Sequence, residues 1–201
     1  EACRRAGEEE IVRRYFTAAT EVKRTGSGQK ALEKIEILMN QADITTNLSP
    51  ARSACLLKAE MTGGPAGAMV LPDGSVVTGK TGNLLGAASA LLMNALKGVS
   101  GVDDDVDVIS DDVLEPICHL KTEHLGNTNP RLHSDETLLA LSVSSSTNPL
   151  AELLIDNADK LRGCDAYFSV IISGTDEKLY RTLGVNVCCE PKFESHRYYH
   201  K

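Results

Sequence analysis

Apolar positions recur with a helical period from the start of the chain to about Met61, and the rhythm then changes. Over residues 1–23, Ile11, Val12, Tyr15, Phe16, Ala19 and Val22 share one side, which predicts an amphipathic helix. Glu8-Glu9-Glu10 stand three and four residues from Arg13-Arg14, the spacing of an exposed, salt-bridged helix face. Thr25-Gly26-Ser27-Gly28 breaks this helix, and a second follows over residues 29–42 with Leu32, Ile35, Leu38 and Met39 inward. Ser49-Pro50 starts a third, with Ser as the cap and Pro where its missing N–H costs nothing. Thr62-Gly63-Gly64-Pro65 ends it.

The stretch 66–98 organises the rest. Residues 68–71 and 75–78 read as strands around Pro72-Asp73-Gly74, a hairpin turn in which glycine supplies the positive φ. After Lys80 the period becomes helical, and Leu84, Leu85, Ala88, Leu91, Leu92 and Ala95 leave so little polar surface that the helix must be buried. Residues 106–109 read as a short strand, and Ser110 caps a helix with Asp111 and Asp112 in its first turn. Helices are predicted from residue 132 to 144 and, capped by Asn148, from Pro149 to about Leu161. Residues 164–173 form the most β-rich run, a central strand by its continuous apolar character. Thr175 caps a helix over 176–183, and residues 185–189 are the last strand. The pattern predicts an α/β fold: a helical subdomain at residues 1–48, then an α/β domain at residues 49–201, three layers αβα around a mixed sheet.

Composition narrows the function classes. The chain is 42% hydrophobic with a net charge of −7, and it has no basic stripe. A nucleic-acid backbone binder is therefore not expected. No apolar run reaches membrane-spanning length, and none reads as a signal peptide, so the expected location is cytoplasmic. The six cysteines lack CxxC spacing, which suits reduced thiols. Cys188 and Cys189 are strand neighbours whose side chains point to opposite faces. Asp103-Asp104-Asp105 lacks the spacing of a calcium loop and reads as solvated.

Three places can carry chemistry. Gly74 and Gly79-Lys80-Thr81 stand at the spacing of a Walker loop, but Gly74 belongs to the hairpin turn and residues 75–78 read as a strand rather than a phosphate-cradling loop, so the stretch is not read as one. Ahead of a helix start, these residues can contact an anion; the alternative is a structural turn with an exposed lysine. His133 stands between Arg131 and the pair Asp135-Glu136, a grouping that suits a general base or a metal site, while helix capping accounts equally for Ser134, Asp135 and Glu136. The hydroxyls of Ser144-Ser145-Ser146-Thr147 have no nearby base and read as a break between helices. The tail, with His196, Tyr198, Tyr199 and His200, is a polar aromatic segment suited to docking on a partner chain.

Several long motifs occur in order: VVTGKTGNLLGAASALLMNALKG, ISDDVLEPI, LKTEHLGNTNPRLHSDETLLALSVSSSTNPLAE, LRGCDAYFSVIIS and LGVNVCCEP. In these the chain resembles the uncharacterised bacterial family catalogued as domain of unknown function 1846. The resemblance implies that this is the C-terminal part of a longer protein whose N-terminal portion carries a GPGSGK-like stretch suggestive of nucleotide or phosphate binding. It also implies a cytidine-deaminase-like topology. The zinc ligands and the catalytic Glu of deaminases are missing, because Gly86-Ala87-Ala88 and Ser110-Asp111-Asp112 occupy the corresponding helix starts. Zinc-dependent deamination is therefore not expected, and no metal ligands are assigned. The resulting expectation is a contribution to an enzyme binding a nucleotide or a small phosphorylated ligand. His133, Asp135 and Glu136 would be catalytic, Gly79, Lys80, Thr81 and Arg131 would bind the ligand, and the N-terminal portion would complete the site. The contrasting expectation is a structural or homo-oligomerisation module without chemistry of its own.

Overall fold

A computed structural model describes residues 2–194. Three helices open the chain: α1 (Ala2–Thr25), α2 (Gln29–Gln41) and α3 (Pro50–Thr62). The hairpin follows as β1 (Ala66–Val70) and β2 (Val76–Lys80), with Gly74 at φ 85° in its turn and Asp73 Oδ1 accepting from Ser75 N–H at 2.9 Å. Then come α4 (Ala87–Ser100), α5 (Asp111–His119), a π-helical turn at Leu120–His124, α6 (Ser134–Ser144) and α7 (Pro149–Asp156). β3 (Asp165–Phe168), α8 (Gly174–Thr182) and β4 (Asn186–Cys189) complete it. The sheet order is β2-β1-β3-β4, antiparallel except for the parallel β3–β4 pair, so the sheet is mixed and β3 is an inner strand.

Side-chain alternation divides the core in two. Ala68, Tyr167 and Cys188 face a cluster with Val12 and Phe16 of α1 and Ala51 and Cys55 of α3. Met69, Ala166, Phe168, Val187 and Cys189 face the larger cluster built around Leu91, Leu92 and Leu96 of α4. Helices thus cover both faces, and the adjacent cysteines 188 and 189 part to opposite sides. Across the first face, Arg52 of α3 clamps the strand ends. Its guanidinium bonds Glu190 at 2.8 and 2.9 Å, and Tyr167 O–H donates to the same carboxylate at 2.8 Å. On the other face, α4 lies so close to the hairpin that glycine is required beneath it. A Cβ on Gly79 would sit 2.2 Å from Leu91 N.

The structure departs from the sequence pattern in four places. Residues 106–109 form no strand. Their groups are satisfied locally, with Val106 N–H donating to Asp103 O and Val108 O accepting from Asn148 Nδ2, while Val108 and Ile109 are buried as loop residues. The buried helix starts at Ala87, not after Lys80. Leu84 and Leu85 instead run beside Leu132 in a parallel bridge, with Leu132 N–H donating to Leu84 O at 2.8 Å. β3 stops at Phe168, and the remaining apolar residues to Ile172 leave the sheet as a loop. The cap of α8 is Ser173, whose Oγ accepts from Asp176 N–H, in place of Thr175. The aromatic tail at His196, Tyr198, Tyr199 and His200 lies outside the described residues.

Candidate functional site

The loop leaving β3 and the start of α8 meet the start of α6, and this meeting point contains a buried carboxylate with four hydrogen-bond contacts. Asp176, in the first turn of α8, is buried, with 6% of its surface exposed. Its Oδ1 accepts from Ser134 N–H at 2.8 Å and from Ser134 Oγ at 2.6 Å. Its Oδ2 accepts from Ser173 Oγ at 2.7 Å and lies 3.1 Å from His133 Nδ1. Burial by itself would raise the Asp176 carboxyl, but the bonds from His133, Ser134 and Ser173 outweigh it and hold the group below its ordinary range. The partner effect on His133 is upward: its hydrogen bond to Asp176 outweighs the opposing burial.

This pairing fixes the imidazole. With Nδ1–H donated to the carboxylate, a neutral His133 carries its lone pair on Nε2, which has no partner among the described residues. An aspartate that orients a histidine in this way leaves it equipped to take a proton from a bound molecule. Ser173 is no nucleophile activated by this base: its Oγ is near Nδ1, 3.4 Å away, and donates to Asp176.

A second group of bonds holds His133 from below. His133 N–H donates to Glu136 Oε2 at 2.7 Å, so the Glu136 carboxylate caps the start of α6. The same oxygen accepts from Lys121 Nζ at 2.6 Å, and Lys121 also donates to Arg131 O at 2.7 Å. Lys121 is only 3% exposed and is delivered by the π-helical turn. Arg131 Nε donates to Gly82 O at 2.8 Å, tying this junction to the segment after β2.

His133, Asp176, Arg131 and Thr81 line one cleft of about 80 Å³, together with Gly86 and Ala87 at the start of α4. The first turn of α4 contains no acidic residue, and its N-cap Gly86 makes no side-chain cap bond, so the helix dipole makes this wall electropositive. The expected residues therefore divide. Arg131, His133 and Thr81 come together; Gly79 and Lys80 line a different, larger cleft. Glu136 serves the cap, and Asp135 is exposed, with its Oδ1 accepting from Glu136 N–H. His133, Asp135 and Glu136 form no group placed to hold a metal ion, and there is no such group of three or more His, Cys, Asp or Glu among the described residues. Asp176, 43 positions from His133, was not marked by any local pattern.

The fold and site carry the sequence signature of a known group. A family model described as "Domain of unknown function DUF1846, C-terminal" matches residues 47–199, and the chain belongs to this family. Among its relatives, a UPF0371 protein of Corynebacterium diphtheriae is 44% identical over 204 residues, covering all of this chain and 40% of the relative. One from Corynebacterium efficiens is 43% identical over the whole chain, and one from Streptococcus thermophilus is 39% identical, each with 41% of the relative covered. The chain thus spans about two-fifths of the length of these relatives. No helix among the described residues is long and apolar enough to cross a membrane.

Proposed function

We propose that this chain supplies an acid–base half-site to an enzyme that binds a nucleotide or small phosphorylated ligand, with the N-terminal portion of the full-length protein completing the site. The observation that carries the reading is the Asp176–His133 pair at the cleft shared with Arg131 and the uncapped start of α4. The carboxylate holds the imidazole as a base at Nε2, while Arg131 and the helix N–H groups favour an anionic group beside it. A cavity of about 80 Å³ is smaller than such a ligand, which fits a site with another wall supplied from outside this chain. The hairpin followed by a buried helix supports a cytidine-deaminase-like arrangement, with the His133 pair in place of a zinc-bound site.

The test is a thermal-unfolding screen of the full-length protein against nucleotides and phosphorylated metabolites, repeated on His133→Ala and Asp176→Asn. We expect at least one compound to stabilise the wild type and to lose most of that effect in both variants. No stabilisation by any compound, or stabilisation indifferent to both substitutions, would leave the structural-module reading in its place.

A further inference from the structure

The larger cleft, about 510 Å³, shares no lining residue with the His133 cleft. β2, α4 and the segment 104–111 form its walls, and its volume is in the range of small-metabolite pockets. Lys97 lines it from α4, is only 7% exposed, and among the described residues donates one hydrogen bond, to Asp104 O at 2.9 Å. No carboxylate among the described residues is within ion-pair distance of it. An ammonium has three donors, so Lys97 is a buried cation with two N–H bonds and a charge that no side chain among the described residues pairs. Burying such a charge is costly unless it is paired. Its place in the last turn of α4 lets the helix dipole offset a part of that cost, an effect that is modest beside full pairing.

Two more cations reach the same cleft from other elements, Lys80 at the end of β2 and the half-buried Lys58 of α3. The carboxylates of Asp104, Asp107 and Asp111 also line it and would repel a polyanion. We propose that this cleft is a second ligand site, for a small metabolite bearing one anionic group, a phosphate or a carboxylate, seated on Lys97 Nζ with Lys80 at the rim. The acidic lining selects hydrogen-bond donors, such as an amine or amide, on the rest of the molecule. The site stands apart from the His133 cleft and does not depend on it.

The experiment measures binding of inorganic phosphate, adenosine monophosphate and acetate to the full-length protein by calorimetry and thermal unfolding. The variants are Lys97→Met, Lys97→Arg, Lys80→Ala and His133→Ala. The phosphate compounds and acetate separate the two anion classes. Binding of at least one probe should weaken about tenfold or more in Lys97→Met and several-fold in Lys80→Ala, persist in Lys97→Arg, and be unchanged in His133→Ala. Unliganded Lys97→Met should melt no lower than the wild type, because it loses an unpaired buried charge. The proposal is overturned if no probe binds at about 10 mM, or if affinity survives Lys97→Met. Loss of binding in His133→Ala alone overturns it too, since that places the anion in the other cleft. Should Lys97→Met fail to fold, the exposed Lys80→Ala decides: unchanged affinity there also ends the proposal.

Discussion

Gly79 tests whether the Gly79-Lys80 end of β2 is kept for packing. It lies on β2 beneath α4, and a Cβ built there would stand 2.2 Å from Leu91 N, 2.5 Å from Leu91 Cα and 2.8 Å from the Ala90 carbonyl carbon. These are main-chain atoms of a buried helix, so no side chain can swing away. Restoring contact at about 3.5 Å requires moving α4 from the sheet by on the order of 1 Å, which loosens Leu91, Leu92 and Leu96 together. Overpacking costs about 1–3 kcal/mol, and an obstacle of helix backbone puts Gly79→Ala at the upper end, about 3 kcal/mol. At about 2–4 °C per kcal/mol for a chain of this size, the melting temperature should fall by about 6–12 °C. Gly82→Ala is the matched control: its Cβ would meet nothing nearer than Leu85 O at 3.8 Å, without a left-handed φ, so a change within about 0.5 kcal/mol is expected. Urea unfolding of both variants, with midpoint and slope fitted together, supplies the measurement. An unchanged midpoint for Gly79→Ala would refute the packing argument and return Gly79 to the list of ligand contacts.

Further outcomes follow from the polar clusters. Because the folded-state pKa of His133 is raised, its contribution to stability is complete below the unfolded value of about 6.5 and fades as pH rises through the folded value; a melt series across that window should show the slope, and His133→Ala should remove it. Asp176 acts in the opposite sense: its stabilisation is present above about 3.9 and is lost as pH falls through its lowered folded value. Asp176→Asn should lower the pKa of His133, followed by NMR titration of its ring protons; an unmoved titration would mean the pair is not formed in solution. Arg52→Ala leaves Glu190 and Tyr167 without their cation and should cost about 2–3 kcal/mol in urea unfolding. Arg52→Lys should recover little of that, since a point charge cannot replace a planar fork stacked over Phe16.

Much of the fold was legible because its signals are local. Pro72-Asp73-Gly74 turns the hairpin, and Asn148-Pro149 starts α7 with the Asn148 side chain accepting from Leu150 N–H. Residues 106–109 misled because β propensity measures fit to a pleated surface, and here no strand edge is offered; their neighbours are Asp103 and the Asn148 side chain. At the candidate site the sequence marked His133 beside Asp135 and Glu136, whereas the carboxylate bonded to its ring is that of Asp176. Asp135 and Glu136 are adjacent in sequence, yet one caps its own helix turn and the other is held by Lys121. The acid that orients the imidazole arrives with α8, and only the docking of α6 against α8 brings it there. Periodicity carries no record of such a meeting.

The π-helical turn at Leu120–His124 makes the His133 junction sensitive to chain length as well as to side-chain identity. A π turn holds one residue more than an α turn closing the same span. Removing Leu120, the exposed residue ahead of Lys121 in this turn, would shift Lys121 by one helical position and rotate it by about 100°, away from Glu136 and the Arg131 carbonyl. The base would then lose its support without a change in any group that touches it. A deletion of one exposed residue in this turn is thus a geometric way to detune the site while leaving its chemistry intact.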